Sequence, residues 1–99
     1  MTREALEQRW LTLTRETMPA LAAERGWPVH NDHCFQRFLL DNAVGACWYD
    51  VIRRRPAYRH ADEAVLIRAV EVGDAVIAGL ADLAALNRQS LAWRGKLAR

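Results

Sequence analysis

An all-α fold, a compact bundle of four to five helices forming one domain over residues 1–99, is what this sequence predicts, on three observations. Only three prolines and five glycines interrupt 99 residues, so long regular elements are expected. Apolar side chains recur at intervals of three and four, the period of a helix with one buried face. Glycines and capping residues stand at the ends of these runs.

The first helix is expected to be capped by Thr2 and to reach about Thr17, because Leu6, Trp10, Leu13 and Thr17 fall within one narrow arc that Leu21 extends. Pro19 kinks this helix or starts a new one, Gly26 stops it, and Pro28 bars continuation. The second helix starts at Asn31 or Asp32 and runs to Val44 before Gly45. The stretch ACWYDVIRR reads as a short helix, and RRRPAYRHAD as a connector, since Pro56 disfavours helix at Arg55. Asp62 or the residue before it opens the clearest amphipathic helix. Its apolar arc is Val65, Leu66, Ala69, Val70, Val72, Gly73, Val76, Ile77 and Leu80, with only Ile67 out of place. Gly79 breaks the chain, and Asp82 opens a last helix to about Arg94, stopped by Gly95.

A chain of this length hides roughly two-thirds of its extended surface, enough for one core and not for two. Its 52% hydrophobic and 26% charged residues are those of an ordinary globular protein. No apolar run approaches the ~18 residues of a membrane span. The first twenty residues carry Arg3, Glu4, Glu7, Arg9, Arg15 and Glu16, which no signal-peptide core tolerates. A cytoplasmic protein without membrane partners is expected. Cys34 and Cys47 suit that compartment as reduced thiols.

The dispersed glycines provide no phosphate-cradling loop, and neither a GxSxG elbow nor an HExxH helix occurs. The common nucleotide-dependent enzymes are thereby excluded, and neither a catalytic residue nor a cofactor is assigned. His30, His33, Cys34 and Cys47 are ligand types that zinc accepts. However, His33 and Cys34 would stand about 100° apart on a helix, so a metal- or cysteine-dependent enzyme is the second alternative only. Cys34 instead sits at the edge of the arc of Phe35, Phe38 and Leu39. His33, Arg37 and Asp41 form a polar stripe on the other side, with Arg37 and Asp41 placed to pair along the helix surface.

Two helices carry polar residues where a core is expected. Asn42 lies between Phe38 and Leu39 on the wheel, and Asn87, Ser90 and Arg94 fall inside the arc of Leu83, Leu86, Leu91 and Trp93. Two accounts follow. In one, the Asn42 and Asn87 amides bond to each other, or to backbone groups near Gly45 or Gly79, and fix helix register. In the other, Asn42, Asn87, Ser90 and Arg94 line a cleft between the second and last helices, rimmed by Trp48 and Trp93. Arg94 would then meet a carboxylate or phosphate.

The net charge of +2 is unevenly laid out. Arg53, Arg54, Arg55 and Arg59 form one basic segment beside Tyr58. Arg88, Arg94, Lys96 and Arg99 form another around Trp93. Arginine with an adjacent ring is suited to nucleic acid, which makes a nucleic-acid binder the first alternative. The leading expectation is a small accessory or adaptor protein, with an enzymatic role left open. It would act through protein partners, self-association as a homodimer, or a small ligand in the cleft.

Overall fold

The chain's structure, a computed structural model, describes residues 2–96. Helix α1 (Arg3–Thr12) opens where Thr2 Oγ1 accepts the Ala5 amide at 3.1 Å. It continues without a break through a π-helical turn, Leu13–Thr17, into α2 (Met18–Arg25). Pro19 has no N–H to offer the Arg15 carbonyl, and its ring would collide with that carbonyl in a regular α-helix. The wider turn, in which the Met18 amide reaches back five residues to the Leu13 carbonyl, takes up the conflict. One residue is thereby inserted into the helical period, so the buried face moves from the expected Thr17 and Leu21 to Met18 and Ala22. Gly26 closes α2 at φ 64°.

Helix α3 (Asp32–Val44) has the expected ends, although the Asn31 side chain at its cap position makes no capping bond. Gly45, at φ 78°, turns the chain so that its own amide and that of Ala46 both reach the Asp41 carbonyl. In place of the short helix expected next there is a single 3₁₀ turn, Trp48–Asp50, after which Ile52 enters the core. The connector contains one helical turn, α4 (Ala57–His60), following a cis Arg55–Pro56 bond. Arg3 ties it down, donating from Nη2 to the carbonyls of Tyr58 (2.9 Å) and Ala61 (2.7 Å).

Helix α5 (Glu63–Ile77) buries Leu66, Ala69, Val70, Gly73 and Val76. It ends before Leu80, which is 83% exposed and so leaves the expected arc. Helix α6 (Leu83–Trp93) starts at Asp82, whose Oδ1 accepts the amides of Ala84 and Ala85.

α3 is the central element. It packs on α5 and on α6, and it also meets the π turn, α2 and the 3₁₀ turn, while α1 lies on α5. Trp10, Leu13, Met18, Phe35, Phe38, Leu39, Leu40 and Leu66 are almost wholly enclosed in one apolar cluster. Gly73 sets the closest approach: a methyl group there would stand 2.6 Å from Leu13 Cδ2 and 3.3 Å from Leu39 Cδ1. Because α6 covers a second side of α3, the expected surface stripe of His33, Arg37 and Asp41 stays exposed only at His33, with Arg37 half-buried. Leu40 and Asp41 are buried, and Asp41 does not pair with Arg37. No helix among the described residues is long and apolar enough to cross a membrane.

Candidate functional site

A polar layer fills the α3–α6 interface, and Asp41, with no exposed surface, is its centre. Asp41 Oδ1 accepts the Trp48 amide at 2.8 Å and Arg94 Nη2 at 3.0 Å. Its Oδ2 accepts Arg94 Nε at 2.7 Å and the Ser90 hydroxyl at 2.6 Å. The carboxylate thus joins α3, the 3₁₀ turn and the end of α6. The hydrogen bond to Asp41 raises the Arg94 guanidinium above its already high ordinary pKa, against the opposing effect of burial.

Arg37, one helical turn before Asp41, is held differently. Its Nη1 donates to Ser90 Oγ at 2.7 Å and its Nη2 to Asn87 Oδ1 at 2.6 Å. Both partners are neutral, and Arg37 has no carboxylate partner among the described residues. Asn42 bonds to neither arginine. Its amide donates to the Phe38 carbonyl (2.8 Å) and the Leu86 carbonyl (3.0 Å), so the two asparagine amides are not bonded to each other. Every buried side-chain polar atom among the described residues has a partner.

In front of this layer lies a cavity of about 590 Å³. Its back wall is Trp10, Leu40, Gln36 and Arg37. Trp48, Tyr49 and Arg94 line one side, and Arg55, Pro56, Ala57 and Tyr58 line the other. Arg15 and His33 also line it. Arg15 belongs to the π turn, whose Thr14 hydroxyl accepts the Gln36 amide at 3.0 Å, so the inserted residue of the first helix lies beside the cavity. The Arg55 guanidinium lies over the rings of Tyr49 (5.1 Å) and Trp48 (5.8 Å), and Arg94 lies 4.6 Å from the Tyr49 ring centre. Among the described residues no Asp or Glu lines the cavity. Asp41 neutralises Arg94 from behind, and Arg15 stands 3.8 Å from Asp32, whereas Arg37 and Arg55 are uncompensated.

Of the residues singled out from the sequence, His33, Trp48, Arg55, Tyr58 and Arg94 line this cavity. Asn87 and Ser90 stand behind its wall and hold Arg37. Asn42 and Trp93 are outside it. Arg53, Arg54 and Arg59 are exposed on the segment that supplies one wall, while Arg99 of the second basic segment lies outside the described residues. His30, His33, Cys34 and Cys47 are not gathered: no group of three or more metal-binding side chains occurs among the described residues. Both cysteines are free thiols.

Arg37, Tyr49, Trp10 and Arg15 were not expected in a site. A single wheel places Arg37 on a solvated stripe, because periodicity cannot tell how many neighbours a helix has. The available signal was complementarity: an Asp on one helix, and a Ser and an Arg on the apolar arc of another.

Compared with protein-family models, curated proteins and solved structures, the chain matches none.

Proposed function

We propose that this chain is a small cytoplasmic binding module that takes an anionic ligand in the cavity between α3, the 3₁₀ turn and the 55–58 segment. One observation carries the reading: among the described residues, two guanidinium groups without carboxylate partners, Arg37 and Arg55, stand on an aromatic-walled cavity that no acid lines. Its volume is within the range of small-molecule sites, roughly 300–1,000 Å³. Holding Arg37 with neutral Ser90 and Asn87 fixes its direction without quenching its charge. The two free thiols are consistent with a reducing compartment.

The test is thermal unfolding in a panel of small anions at constant ionic strength. A ligand at a hundredfold excess over its Kd adds about 2.7 kcal/mol, which for a domain of this size raises Tm by roughly 10 °C or more. If no anion moves Tm beyond the chloride control, the reading fails.

A nucleic-acid partner is the second reading, favoured by the 53–59 segment. That segment supplies exposed Arg53, Arg54 and Arg59 together with the cavity-lining Arg55 and Tyr58. Self-association is a separate proposal, supported by the exposed Ile67, Leu80 and Trp93. Light scattering over a range of concentrations tests it.

A further inference from the structure

We infer that the ligand is a nucleoside 5′-phosphate, with its phosphate on Arg37 and Arg55 and its base against the aromatic wall. The inference rests on the anion-binding reading above and narrows it.

Charge comes first. Two uncompensated guanidinium groups call for close to two negative charges. A phosphate monoester carries about −1.5 to −2 at neutral pH, whereas one carboxylate carries only one. Donor geometry agrees. Arg37 spends one hydrogen of Nη1 on Ser90 and one of Nη2 on Asn87. That leaves about three of the five N–H groups of a guanidinium, in a planar fork whose direction the polar layer sets. Such a fork matches phosphate oxygens in pairs. Arg55 is held over Trp48 and Tyr49 by its cation–π contacts, so the second charge also has a defined place.

The walls supply the remainder. Trp48, Tyr49 and Tyr58 offer π surface at the cavity, with Trp10 enclosed behind it, and stacking a base on such a ring contributes about 1–3 kcal/mol. A bare inorganic anion would leave that surface unused, and an aliphatic phosphate would not stack. At about 590 Å³ the cavity has room for a base, a ribose and one phosphate.

The same chemistry has two sources, a free mononucleotide or the 5′-phosphorylated end of a strand. The exposed Arg53, Arg54 and Arg59 would extend the contact for a strand.

The experiment is calorimetric titration of the full chain at low ionic strength, with tryptophan fluorescence read in parallel because Trp10 and Trp48 line the cavity. The probes are the four ribonucleoside 5′-monophosphates, their parent nucleosides, inorganic phosphate and 2-naphthoate. At least one monophosphate is expected to bind and change the fluorescence. Its nucleoside and inorganic phosphate should each bind at least about tenfold more weakly, as expected when a charge-assisted bidentate contact or a stacking contact is lost. Arg37→Met and Arg55→Gln should each weaken it by about tenfold or more, while Arg88→Ala leaves it unchanged. Arg55 is exposed, so its variant keeps the test valid if Arg37→Met fails to fold.

Naphthoate binding as tightly as every monophosphate overturns the nucleotide inference and leaves the anion-binding reading in place. No binding by any probe overturns the inference. No Tm response to any anion would remove the broader reading as well. A ten-residue oligodeoxyadenylate, with and without its 5′-phosphate, separates the sources. Tighter binding than the monophosphates only when phosphorylated assigns a strand end, and weaker binding assigns the free nucleotide. Equal tight binding of both forms overturns the inference in favour of internal backbone recognition.

Discussion

Asp41 accepts four side-chain-directed hydrogen bonds from Trp48, Ser90 and Arg94, so removing its carboxylate affects three parts of the chain at once. Asp41→Ala would leave Arg94 charged in a site where its side chain is only 12% exposed. A broken buried pair costs about 3–5 kcal/mol, to be read from the urea midpoint. Because the folded pKa of Arg94 is raised, the contribution of the pair is complete below the unfolded value and is lost only as pH rises through the folded one. The stability difference between wild type and Asp41→Ala should therefore be the same at neutral pH and at about pH 10. Asn42 behaves otherwise. It bonds only to the Phe38 and Leu86 carbonyls and lies outside the cavity. Asn42→Leu should change stability by no more than about 1 kcal/mol and leave anion affinity unchanged. Loss of binding in that variant would mean that the site extends into the α3–α6 seam.

At the scale of elements, α3 serves two interfaces of different chemistry. Phe35, Phe38 and Leu39 meet the apolar core, and Arg37 and Asp41 meet Asn87, Ser90 and Arg94 of α6. The apolar side depends on close approach at Gly73. Gly73→Ala would gain about 1 kcal/mol of helix propensity and lose more, about 1–3 kcal/mol, by pressing on the enclosed Leu13. A net fall in Tm is expected. In the double variant with Leu13→Ala the two costs should sum to less than their separate values, because the truncated side chain makes room. The first helix was legible from Thr2 to Gly26, but its buried face beyond Leu13 was not, since Thr14, Met18 and Ala22 are enclosed. The wheel assumes one period throughout, and the π turn before Pro19 shifts that period by a residue.

For the molecule as a whole, the arginines gathered on one cavity repel one another in the unliganded state. Phosphate should therefore raise Tm more than chloride at equal ionic strength. The excess should vanish in Arg37→Met/Arg55→Gln and persist in Arg88→Ala, whose side chain points elsewhere on α6. An equal response in all three proteins would indicate general screening instead of a site.

Local pattern alone determined the helical class, the ends of α3, α5 and α6 within a residue or two, and the anomaly of polar residues on inward arcs. Capping chemistry, glycine stops and the 3.6-residue period act within a few residues of themselves, so a single chain displays them. Only the tertiary structure decided what the anomaly means. Asp41 lies 49 positions from Ser90 and 53 from Arg94 in sequence, and their pairing depends on α6 lying across the second side of α3. The cavity depends on the 55–58 segment being tied back by Arg3 from the other end of the chain. Side chains brought together by packing leave no periodic trace. Arg37 and Tyr49 therefore became site residues only once the helices had been placed.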